Sequence, residues 1–133
     1  MVPRIVVKWG RTSDIRFYHV TLEISESPSQ TFWRPLRDTS ERPLKETGEI
    51  GSDLIRRIFA IQGVAAISIV PYSLKVEKGS AFKWDEVEAY VLGILSEILM
   101  SHFGTQEVEI HLELSEEFPS KEEEPEEDEE VEL

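Results

Sequence analysis

Histidine, carboxylate and cysteine side chains hold metals and move protons, and this sequence distributes them unevenly. It has three histidines, 27 acids and no cysteine. Without cysteine, the chain supplies no disulfide, no thiol nucleophile, no thiolate zinc site and no thiolate for an iron–sulfur cluster. His19 and His111 both stand on the polar side of alternating segments, His111 between Glu109 and Glu113. If those segments pair, His19, His111 and Glu109 make a nitrogen–oxygen metal site, but zinc asks for three or four such ligands in a tetrahedral array. Convergence of that kind is demanding, so the favoured reading is two solvated strand-face histidines. His102, in the last turn of an expected helix, complements the helix dipole. Glu107, Glu109 and Glu113 share an exposed face, where no desolvation raises a carboxyl pKa, so acid–base catalysis is not expected of them. No G-x-S-x-G, phosphate loop or G-x-G-x-x-G is present. The chain reads as a non-enzyme that uses no cofactor.

Anion recognition is the second chemistry available. Residues 25–51 carry Arg34, Arg37, Arg42 and Lys45, with Arg56 and Arg57 close behind. These cations suit an anionic protein partner or a phosphorylated segment. Phe32 and Trp33 add stacking surface, so the expected partner-binding set is Phe32, Trp33, Arg34, Arg37, Arg42, Lys45, Arg56 and Arg57. The chain also supplies its own competitor. Residues 116–133 hold 11 acids and one base, and tethering gives them a high effective concentration at the loop. The favoured reading is that the tail meets the loop, which also makes it a regulator of access.

Net charge is −13 over 133 residues, but only −3 of it belongs to residues 1–115. Such a chain repels phosphate backbones, so nucleic acid is not an expected partner. No apolar run approaches the roughly 20 residues of a membrane helix, so no membrane association is expected. The N-terminus shows no charged-then-apolar leader, which makes the cytosol the expected compartment. Hydrophobic residues make up 40% of the chain, enough to build one core. The expected state is a monomer or weak dimer, with self-association through an exposed sheet edge as an alternative.

The elements follow from periodicity. Residues 3–9 alternate as a strand, 10–14 turn, and 15–24 form a second strand with a bulge expected near Phe17. Residues 25–51 read as a long basic loop with three prolines, holding a candidate short strand at 31–33. Leu54, Ile55, Ile58 and Phe59 fall on one face of a helix that starts at Ser52 or Asp53 and stops before Gly63. Residues 64–76 make a hairpin turning at Pro71, Tyr72 and Ser73. A second helix opens near Asp85 with Glu88 as its capping box and Trp84 as an apolar lid. It buries Val87, Val91, Ile94, Leu95, Ile98 and Leu99 and ends at Gly104. Residues 107–114 alternate without a break and make the last strand. The expected fold is α+β, a two-layer sandwich of a mostly antiparallel sheet with two helices on one face, in the order ββ(β)-α-ββ-α-β. Residues 1–115 form the domain and 116–133 a disordered acidic tail.

Residues 52–95, SDLIRRIFAIQGVAAISIVPYSLKVEKGSAFKWDEVEAYVLGIL, resemble the N-terminal domain of the Nfu/NifU-type iron–sulfur scaffold proteins. The resemblance rests on Phe59, Ile61, Gly63 and Val64 (F-x-I-x-G-V), the proline bend at Pro71, Val76 with Lys78 (V-x-K), and Trp84 opening the last helix. Arg16-Phe17 stands near the family's lysine-phenylalanine. The resemblance implies an α+β sandwich and a docking or accessory role in iron–sulfur cluster assembly or delivery. The family's cluster-holding C-x-x-C pair belongs to a separate domain and has no counterpart in this cysteine-free chain. Its asparagine-proline entry to the second strand is replaced by Thr12-Ser13-Asp14. The strand at 107–114 extends past the family domain's usual end.

Overall fold

A computed structural model describes residues 2–9 and 13–114. The fold is α+β, and the described residues form six strands and three helices. In order these are β1 (Arg4–Trp9), β2 (Ile15–Val20), β3 (Gln30–Trp33), a 3-10 turn (Asp38–Ser40), α1 (Glu41–Glu46), α2 (Gly48–Phe59), β4 (Val64–Val70), β5 (Ser73–Lys78), α3 (Trp84–Phe103) and β6 (Glu109–Leu114). The strands join one sheet in the order β3-β4-β5-β2-β1-β6. Every neighbouring pair is antiparallel except β1–β6, which is parallel.

Register decides which residues share a face. Val7, Tyr18, Leu74 and Ile69 lie side by side across four strands, and all four are buried. The next row runs Trp9, Arg16, Val76, Ile67 and Phe32. Apart from Arg16, these residues cluster with Leu54, Ile55, Ile58 and Phe59 of α2 and with Val87, Val91, Leu95, Ile98 and Leu99 of α3. Each such side chain contributes about 1.5–3 kcal/mol relative to an exposed position. The other parity, including Lys8, Phe17, His19, Thr31, Trp33 and Lys75, is exposed or half-buried.

The expected long loop is largely folded. Leu44 is completely buried and anchors α1. Pro43 sits in the first turn of α1, where its missing N–H is no loss. The buried Thr47 hydroxyl donates to the Leu44 carbonyl at 2.6 Å, and α2 starts directly afterwards at Gly48. The described residues therefore hold three helices rather than two, and α2 begins about one turn before the expected Ser52 or Asp53. Strand β2 stops at Val20, although Ile24 is buried and its N–H donates to the Pro71 carbonyl at 2.7 Å. No bulge occurs at Phe17: Ile15 and Phe17 simply take the solvent-side parity, and the irregularity lies between Val64 and Ala66. Helix α3 starts at Trp84, with the Glu86 carboxylate accepting from the Lys83 N–H at 3.0 Å. The expected Asp85–Glu88 capping box does not form, because Glu88 faces the sheet. Gly63 has φ +108°, and a Cβ there would lie 2.9 Å from the Phe82 ring. Backbone conformation and space both require glycine at that turn. The tail at 116–133 lies outside the described residues.

Candidate functional site

The eight expected partner-binding residues separate into three groups. Phe32 is 3% exposed and belongs to the core. It is not partner surface, because β3 alternation turns it inward beside Ile67. Four arginines are already engaged. Arg34 donates from Nε to the Val64 carbonyl at 2.7 Å and from Nη2 to the carbonyls of Phe59 at 2.6 Å and Ile61 at 2.7 Å. It thereby satisfies carbonyls at the C-terminus of α2, where a cation also complements the helix dipole. Arg42 pairs with Glu46 at 3.7 Å, Arg56 with Glu41 at 2.9 Å, and Arg57 with Glu97. The third group is Trp33, Arg37 and Lys45. Trp33 is 66% exposed on the edge strand β3, on the solvent side of the sheet. Arg37 and Lys45 are exposed, and neither has an ion pair among the described residues. A cleft of about 310 Å³ runs beside Trp33 and is lined by Thr31, Arg34, Arg37, Thr39 and Pro43 among others.

A second cluster escaped the sequence reading. Arg16 points to the core side of β2, and its side chain is 14% exposed. Its guanidinium carbon sits 4.8 Å from the Trp9 ring centroid and 4.5 Å from that of Trp84. Its Nη1 donates to Glu88 Oε1 at 2.6 Å, and the Tyr18 hydroxyl donates to the same oxygen at 3.0 Å. Burial, reinforced by the Glu88 charge, pushes the Tyr18 pKa far above its usual value, so the phenol stays protonated. The Trp84 indole N–H donates to the Ser13 carbonyl at 3.1 Å. Next to it, Lys78 pairs with Asp14 at 2.7 Å and lies 6.0 Å from the Trp84 ring centroid. A cation between two indoles, paired to one carboxylate, ties β1, β2 and α3 together. Arg16 shares its parity with Tyr18, which was the one available sequence signal.

The expected metal set does not converge. Val6 of β1 lies between His19 and His111, in register with each. The two imidazoles therefore stand two strand spacings apart, roughly 10 Å. His111 Nε2 lies 3.5 Å from Glu109 Oε1, and the described residues contain no group of three or more metal-ligating side chains. His102 lies 3.6 Å from the Asp53 carboxylate. A cleft of about 530 Å³ lies between the end of α2 and α3 and is walled mainly by Ala60, Ile61, Phe82, Tyr90 and Ile94. Its charged members are committed, Arg57 to Glu97 and Glu86 to the Lys83 amide. No helix among the described residues is long and apolar enough to cross a membrane.

In fold, the chain is similar to protein SAV1430 from Staphylococcus aureus. The crystal structure of that protein superposes with a TM-score of 0.50, covering 69% of this chain and 98% of the other, at 19% identity. At that identity the likeness is one of fold alone. No family model matches the sequence, and no curated protein matches it.

Proposed function

We propose that this chain is a non-enzymatic docking domain that receives an acidic, extended segment of a partner protein at the β3 edge of its sheet. The observation that carries the reading is Trp33, an exposed indole on an edge strand that shares a cleft with Arg37, with exposed Lys45 on the following helix α1; neither cation has an ion pair among the described residues. An edge strand offers unpaired backbone donors and acceptors to an incoming strand, and side chains beside it supply selectivity. Trp33 gives apolar contact area, while Arg37 and Lys45 favour acids. Trp33 is exposed on β3, and in the two-layer sandwich that we propose, its side of the sheet is left to the partner. The resemblance of residues 52–95 to the Nfu/NifU N-terminal domain supports a cytosolic partner from iron–sulfur cluster assembly or delivery. In that role the domain holds no cluster itself and docks the chain that does.

The test is a titration of purified iron–sulfur assembly proteins from the source organism, followed by tryptophan fluorescence. The wild type is compared with a variant carrying Trp33→Ala, Arg37→Glu and Lys45→Glu, all exposed positions. The reading expects saturable binding to at least one assembly protein, weakened at least about a hundredfold in the variant, as for loss of one anchor and two charges. Equal binding by both proteins refutes the β3 site. No binding to any of them refutes the iron–sulfur assignment.

A further inference from the structure

The opposite edge of the sheet, β6, carries a different pattern. Ile110 and Leu112 are in register with Ile5 and Val7. Ile5 and Val7 are fully buried, whereas Ile110 is 44% and Leu112 57% exposed. The apolar stripe on the core side of the sheet thus runs one strand past its cover. The backbone groups here alternate in direction. The Glu109 N–H donates to the Pro3 carbonyl at 2.9 Å, so residues 109, 111 and 113 turn their backbone groups to β1. By strand alternation, 110, 112 and 114 turn theirs to the open edge. The other face of β6 reads Glu109, His111, Glu113, with Arg4 and Lys8 of β1 lying 3.8 Å and 3.9 Å from the two glutamates.

We propose that β6 pairs antiparallel with β6 of a second copy of this chain, about a two-fold axis through Leu112. In this register Leu112 faces its own symmetry mate, and position 110 faces position 114. Both are hydrogen-bonded pairs, because these residues have outward backbone groups. His111 then faces Glu113 of the second copy, and Glu113 faces its His111, in the more closely spaced non-hydrogen-bonded pairs. The alternative register, centred on His111, sets Glu109 against Glu113 twice and His111 against itself. Like charges directly opposite destabilise a sheet, so charge selects the Leu112-centred pairing. The resulting twelve-stranded sheet joins the two apolar stripes and leaves a β3 edge free at each far end. The dimer is independent of the docking reading at β3.

The absence of cysteine makes the test clean. In the proposed register the two Leu112 Cα atoms lie about 5.5 Å apart, within the roughly 4.4–6.8 Å that a disulfide spans. The two His111 positions are diagonal neighbours, roughly 8 Å apart, beyond that reach. The full-length chain is examined by sedimentation velocity at about 0.15 M salt, where the Debye length is about 8 Å and screens the net charge. Leu112→Cys and His111→Cys variants are then oxidised mildly. The expected result is a dimer of the wild type, an oxidised dimer of Leu112→Cys, and a His111→Cys variant that stays uncrosslinked. Ile110→Lys/Leu112→Lys, a change at two exposed positions, is expected to sediment as a monomer with an unchanged far-ultraviolet spectrum. A wild type monomeric at 100-fold dilution steps down from about 1 mM, above which even weak pairing shows, overturns the proposal. A His111→Cys crosslink in place of the Leu112→Cys one overturns the register.

Discussion

Replacing Glu88 with alanine removes the only anion among the described residues that meets Arg16, and the acceptor of the Tyr18 hydroxyl. Breaking a buried ion pair at one partner costs about 3–5 kcal/mol, because the other charge stays behind uncompensated. Two facts place this case at the low end. The side chains are 14% and 16% exposed rather than sealed, and the indoles of Trp9 and Trp84 continue to flank the guanidinium at 4.8 Å and 4.5 Å. The stranded Tyr18 hydroxyl adds about 1 kcal/mol. A loss of about 4 kcal/mol follows, which at an m-value near 1.5 kcal/mol/M moves the urea midpoint down by about 2.7 M. The assay is urea unfolding at pH 7, followed by far-ultraviolet circular dichroism and by tryptophan fluorescence. Glu88→Gln keeps both hydrogen bonds and loses only the charge, so its cost is expected near 1 kcal/mol. Changing Arg16 and Glu88 together to methionine removes both charges and is expected to recover most of the loss. A Glu88→Ala midpoint within about 0.3 M of the wild type, at the same m-value, refutes the clamp.

Arg34→Met removes three hydrogen bonds to backbone carbonyls near the end of α2. It is expected to cost about 2 kcal/mol in urea unfolding, whereas Arg42→Met, at an exposed i,i+4 pair, costs under about 0.5 kcal/mol. Equal costs for the two refute the distinction drawn between a committed and a solvated arginine. His19 has its pKa lowered, first by burial and then by the nearby Lys8 charge. The folded state therefore favours the neutral ring, so its stability contribution is complete above the unfolded value of about 6.5 and is lost as pH falls below it. The proton-detected titration midpoint of His19 is expected below 6.5. The stability difference between the wild type and His19→Gln is expected to change as pH drops from about 7 to 5, and a midpoint at or above about 6.5 contradicts the assignment.

Alternation made most of the sheet legible. Tyr18 and Val20, Leu74 and Val76, and the run from Glu109 to Leu112 show their parity in the sequence, and the register keeps it. The segment at 25–51 was illegible for a physical reason. Its three prolines and its charges mark loops on average, but one completely buried leucine, Leu44, anchors α1 there, and the Thr47 hydroxyl closes the turn into α2. The Arg16 cluster was hidden because periodicity assigns a charge to the solvent side. Only a partner 72 residues away, Glu88, makes its burial tolerable. The basic residues show the same limit. Arg34 and Arg37 are alike in sequence, and only the position of the α2 carbonyls commits one and leaves the other exposed. The histidine pair failed on strand order: β1, the first strand, lies between the two strands that carry them.

The central claim is that Trp33 on the β3 edge, with Arg37 after it and Lys45 of α1, forms the docking surface. The most direct measurement is a parallel affinity capture from a lysate of the source organism, using the full-length wild type and the Trp33→Ala/Arg37→Glu/Lys45→Glu variant. Captured proteins are quantified by mass spectrometry, and each is then titrated as a purified protein against nitrogen-15-labelled chain. The account predicts a partner held by the wild type and lost by the variant, with amide shifts concentrated on Gln30–Trp33 and the neighbouring residues 34–45. A partner held equally by both proteins, with its shifts elsewhere on the sheet or helices, contradicts it.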